Sequence, residues 1–63
     1  MSDDLEEYFA DFLHETDDGL LVDFGNGDEV WVPKELVIYK INDNDSTIKI
    51  TMPEWLAMDK GAI

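Results

Sequence analysis

Almost every side chain able to do chemistry in this chain is a carboxylate. There are 16 Asp and Glu against 4 Lys, with no Arg, one His and no Cys, for a formal net charge of -12 over 63 residues. A nucleophile needs an adjacent base. His14 is the only imidazole, and it falls on the edge of an apolar stripe, where it reads as an ordinary surface or core-rim residue. Carboxylate pairs occur throughout, so no glycosidase-like dyad stands out, and so small a chain hardly forms a substrate cleft. No catalytic residue, no cofactor and no enzymatic activity are expected. Asp43, Asp45, Thr47 and Glu54 match several ligand positions of a calcium loop. The position that needs Gly for the sharp turn is Ile48, and Pro53 and a strand-like alternation oppose wrapping, so no metal is expected. Phosphate and nucleic-acid sites need clustered cations or glycine-rich strand-to-helix turns, and four scattered lysines supply neither.

What remains is the acidic surface itself. Asp3 to Asp18 holds eight carboxylates (Asp3, Asp4, Glu6, Glu7, Asp11, Glu15, Asp17 and Asp18) and no Lys or Arg. Leu5, Tyr8, Phe9, Phe12 and Leu13 follow the i, i+3, i+4, i+7, i+8 spacing of one helical face, which predicts an amphipathic helix with an anionic solvent side. Six carboxylates between residues 3 and 15 of such a helix would span ~18 Å, or about one charge per 3 Å. A DNA strand presents about one phosphate per 3.4 Å of axis. The densities match, and a groove built to hold a duplex could take this surface instead. Asp28, Glu29 and Glu35 extend the candidate partner-binding set.

The elements that must position these groups follow in order. Ser2 is a suitable N-cap for the first helix, and Glu15 to Gly19 ends it. Leu20 to Phe24 and Glu29 to Val32 read as a hairpin around Gly25-Asn26-Gly27-Asp28. Pro33 to Leu36 suits a tight turn, and Val37 to Ile41 a third extended run. Ile48, Ile50 and Met52 alternate with Thr47, Lys49 and Thr51, giving a second hairpin across a polar loop. Pro53 to Gly61 has the marks of a short closing helix. The expected fold is a single α+β domain over residues 1–63: an N-terminal amphipathic helix packed on an antiparallel sheet of three or four strands, with a short C-terminal helix. The sheet face carrying Leu21, Trp31, Leu36 and Ile38 then needs Trp55, the closing helix or a second subunit to cover it.

Val30-Trp31-Val32-Pro33-Lys34, with Pro53-Glu54-Trp55-Leu56-Ala57 and Lys60-Gly61-Ala62-Ile63, resembles a pattern in small acidic proteins encoded by phages and prophages. The matching blocks cover about half the chain and assign no catalytic residue; they mark Trp31 and Trp55 as core or fold-defining positions. In size, charge and phage type the chain also looks like the DNA-mimicking anti-CRISPR proteins, which block the duplex- or PAM-binding surface of a CRISPR effector. That resemblance implies a basic DNA-binding partner whose Lys and Arg normally hold DNA.

The expected function is therefore inhibition of a CRISPR effector, or of another host DNA-binding protein, by DNA mimicry. Direct nucleic-acid and membrane binding are not expected, because a charge of -12 is repelled by both. No run approaches the ~20 apolar residues of a transmembrane helix, so the host cytoplasm is the expected location. The competing function is a non-enzymatic accessory interaction module, monomeric or a homodimer, working through an apolar surface around Trp31 and Trp55.

Overall fold

The computed structural model describes residues 5–63, so Ser2, Asp3 and Asp4 lie outside it. It corrects the expected fold class. The first element is a strand, not a helix, and the molecule is an antiparallel sheet of five strands with one short C-terminal helix. The strands are β1 (Leu5–Glu15), β2 (Gly19–Asp23), β3 (Glu29–Pro33), β4 (Ile38–Asn42) and β5 (Thr47–Pro53), followed by α1 (Glu54–Lys60). A 3-10 turn, Lys34–Leu36, links β3 to β4.

Why β1 is extended follows from what flanks it. The sheet order is β3-β2-β1-β5-β4, so the long first strand lies between two hairpins. Without it the inner edges of both hairpins would present unpaired N–H and C=O groups to the interior, a cost that a helix laid over the sheet does not remove. The apolar spacing is compatible with either state. Tyr8 and Phe12 are four apart, as are Phe9 and Leu13, and four is a multiple of the strand period as well as about one helical turn. The strand turns Tyr8, Ala10 and Phe12 towards the core and leaves Leu5, Phe9 and Leu13 exposed, Phe9 at 69%. Aromatic side chains at three of these positions also suit a pleated, half-buried surface.

The two hairpins are staggered along β1. β5 pairs with it from Leu5 to Asp11, whereas β2 pairs with it from Asp11 to Glu15. Only Asp11 has a partner on both sides, Asp23 and Thr47. Directly after it the register with β2 shifts between Phe12 and His14, and the Phe12 N–H donates to Ser46 O at 2.8 Å in the turn before β5. This bulge joins the two halves of the sheet.

The inward side chains of both hairpins meet in one core. Leu20, Val22 and Val32 come from one hairpin and Ile48, Ile50 and Met52 from the other, all fully buried. Leu56 and Ala57 of α1 close the core, and α1 packs against β3 and β5. The helix therefore covers the inner face of the sheet. Leu21, Trp31 and Ile38 lie on the alternate, outer side of their strands, as their alternation predicts, with Trp31 and Ile38 exposed and Leu21 half-buried.

Candidate functional site

Hairpin register decides where the carboxylates go. Gly25 and Gly27 take φ values of 100° and 83°, which lets the β2–β3 turn reverse the chain. Asp28 N–H donates to Asn26 Oδ1 at 3.1 Å and Gly25 N–H to Asp23 Oδ1 at 2.7 Å. The turn sets Asp23 directly opposite Glu29, and β1 sets Asp11 directly opposite Asp23. Asp11, Asp23 and Glu29 thus form one row across three adjacent strands. With strands ~4.8 Å apart the row spans about 10 Å. None of the three is ion-paired among the described residues. Asp28 follows the row into the turn. A groove of about 450 Å³ beside it is lined by Asp11, Asp23 and Asp45, together with Phe9 and Phe24.

The other expected site residues do not join this row. At the far end of the β1–β2 hairpin Asp17, Asp18 and Glu35 surround a cleft of about 550 Å³ with Pro33 and Lys34. Lys34 ties that end together: its N–H donates to Asp18 O at 3.0 Å and its Nζ lies 2.7 Å from Glu15 and 5.8 Å from the Tyr39 ring centroid. The hydrogen bond to Glu15 is the main cause that holds the lysine's proton above its ordinary range, with desolvation opposing it. Glu7 lies 3.3 Å from Lys49. Desolvation, followed by Glu6 and Glu54, raises the Tyr8 hydroxyl above its ordinary value. Asp3 and Asp4 lie outside the described residues.

The expected phosphate-like spacing along residues 3 to 15 is consequently corrected. Eleven extended residues cover ~35 Å rather than ~16 Å of helix. Over that length β1 carries Glu6, Glu7, Asp11 and Glu15, split between the two faces and divided among separate neighbourhoods. Carboxylates gather instead across the strands, and Asp23 and Asp45, absent from the expected set, belong to that gathering. The four-residue turn at 25–28 would pair Phe24 with Glu29; the observed connection is five residues, 24–28, and that one-residue difference is what sets Asp23 opposite Glu29. Asp45 depends on how the second hairpin sits against β1.

His14 packs edge-on to Trp31, with centroids 6.4 Å apart and an interplanar angle of 84°. Trp31 sits in the outer row with Leu21, whereas Trp55 lies on the helix that covers the inner face, so the two tryptophans do not share one patch. Residues 47–53, which the calcium-loop spacing would wrap around an ion, are a strand, and among the described residues no three His, Cys, Asp or Glu side chains converge to hold a metal. No helix among them is long and apolar enough to cross a membrane. Protein-family models, curated proteins and solved structures show no match to this chain.

Proposed function

We propose that this protein is a phage-type, anti-CRISPR-like inhibitor that presents carboxylates in place of DNA phosphates and occupies the basic DNA- or PAM-binding surface of a CRISPR effector in the host cytoplasm. The observation that carries this is the Asp11–Asp23–Glu29 row. Like charges directly opposite on neighbouring strands destabilise a sheet, and no described cation offsets them. A partner that brings Lys or Arg to the row relieves that repulsion on binding, as those side chains do when they neutralise phosphates. Asp28 and Asp45 border the row and enlarge the anionic surface. The mechanism is occupancy; it requires no catalytic group.

The test is displacement of a labelled target duplex from purified CRISPR effector complexes. Added protein should release the duplex, less so as salt rises, and the combined variant Asp11→Asn, Asp23→Asn, Glu29→Gln should lose this effect while keeping its fold. Displacement that survives all three substitutions removes the row from the mechanism, and failure to displace DNA from any effector tested removes the mimicry. A second function, as an apolar interaction module, draws on Trp31, which is 48% exposed on the outer face beside His14. Binding that persists at high salt but fails on Trp31→Gln would select it.

A further inference from the structure

The outer face also carries a cationic feature in this otherwise acidic molecule. Two of the four lysines, Lys40 in β4 and Lys49 in β5, are directly opposite one another, and Phe9 of β1 is directly opposite Lys49. Phe9, Lys49 and Lys40 therefore make one row across three strands, about 10 Å long. A groove of about 510 Å³ runs along it, lined also by Ile41, Asn42, Asn44 and Thr47 and by one carboxylate, Asp43, which a bound anion must avoid.

Phe9 and Lys40 lack an internal explanation. Phe9 is 69% exposed, the most exposed large apolar side chain among the described residues. Opposed lysines repel as opposed carboxylates do. Lys49 has Glu7 at 3.3 Å, whereas Lys40 makes no ion pair among the described residues. Asn42 Oδ1 accepts the Asn44 N–H at 3.0 Å, which orients the amide and leaves its two Nδ2 hydrogens as donors. An anion between the lysines would relieve their repulsion, a planar ring could stack on Phe9, and an oriented side-chain amide can read the edge of a base.

We propose that this groove binds a nucleoside monophosphate, with the base on Phe9 and beside Asn42, and the phosphate between Lys40 and Lys49. The site adjoins the carboxylate row: Phe9, Asn42 and Thr47 line both its groove and the one beside Asp11 and Asp23. The net charge of -12 opposes any anion at a distance, so binding is weak.

Amide and aromatic NMR spectra of the labelled protein, titrated separately with AMP, adenosine and inorganic phosphate, test this. AMP should shift the Phe9 ring and the amides of Lys40, Asn42, Asn44 and Lys49 in one saturable process, and bind more tightly than either part alone. Phe9→Ser should weaken AMP about tenfold, the effect of losing one stacking contact, and leave the response to phosphate unchanged. Lys40→Gln should weaken AMP and phosphate together. The exposed positions of both residues leave the core untouched, and unchanged core methyl signals would verify that the variants fold. No response to AMP, an equal response to phosphate, or an AMP response unaltered in Lys40→Gln would overturn the proposal.

Discussion

Asp23 bears the electrostatic conflict of the outer face most directly, because it has a carboxylate on each side, Asp11 and Glu29. Asp23→Asn removes the central charge but keeps the Oδ1 that accepts the Gly25 N–H. The variant should be more stable than the parent by ~0.2–1 kcal/mol at low salt, the scale of a cross-strand charge pair, and the gain should shrink at high salt. Urea melts at both ionic strengths measure it. The same substitution should weaken the proposed partner, which would separate the role of the row in binding from any role in folding. Away from the row, on either side of Asp11 along β1, two groups hold their protons more firmly in the folded state. Lys34 holds its proton above the ordinary lysine value of 10.5, chiefly through Glu15, and Tyr8 holds its proton above 10.0 through desolvation and then Glu6 and Glu54. In both cases the folded state binds the proton more tightly than the unfolded state, so the contribution is complete below the ordinary value and is lost as pH rises through the raised one. Thermal melts should therefore show stability falling on the alkaline side, and Lys34→Met should converge with the parent there while melting lower at neutral pH.

At the scale of elements, Phe9 and Ile50 separate the strand from the helix that apolar spacing suggests. A helix docked by its apolar stripe buries Phe9, and loss of that side chain would cost ~3–5 kcal/mol. In β1 it is exposed, so Phe9→Thr should change stability by no more than ~0.5 kcal/mol. Ile50, fully buried opposite Tyr8 on the inner face, should lose ~2–5 kcal/mol on truncation to Ala, enough to unfold much of so small a domain. Denaturation midpoints of the two variants decide between the structures. The same contrast shows what the sequence could convey. Both hairpins, the turn at Pro33 to Leu36 and the closing helix were legible because each has local chemistry: Gly25-Asn26-Gly27-Asp28, the alternation from Thr47 to Met52, and Pro53 ahead of Gly61. Gly61 takes a φ of 82° as the C-cap of α1, and its Cβ would come within 3.2 Å of Asn26 Nδ2, so Gly61→Ala should cost ~1–2 kcal/mol. β1 had no such local mark. Its state is set by two unpaired hairpin edges 30 residues apart in sequence at Val22 and Met52, a long-range demand that a periodicity of four cannot reveal. The candidate site inherited the same gap: Glu29 and Asp11 were nameable one by one, but their alignment through Asp23 required the strand.

For the whole molecule, charge and size act together. The described residues hold 14 of the 16 Asp and Glu and all 4 Lys within extents of 36 × 23 × 19 Å. The Debye length is ~10 Å at 0.1 M salt and ~3 Å at 1 M. Most carboxylates therefore repel one another through the fold at low salt and cease to do so at high salt, while the three described lysine–carboxylate pairs at Glu15, Glu7 and Asp59 offset only a small part of that repulsion. Self-repulsion destabilises the compact state more than the expanded one, so the melting temperature should rise with sodium chloride. The affinity for a cationic DNA-binding surface should move the other way, because screening weakens attraction between the two proteins as it weakens repulsion within one. Melting and effector binding measured over the same salt series should give slopes of opposite sign. A melting temperature that falls with salt would mean that attractive pairs outweigh the acidic surplus in the folded state, and affinity that holds at high salt would move recognition from the carboxylate row to the exposed apolar residues of the outer face.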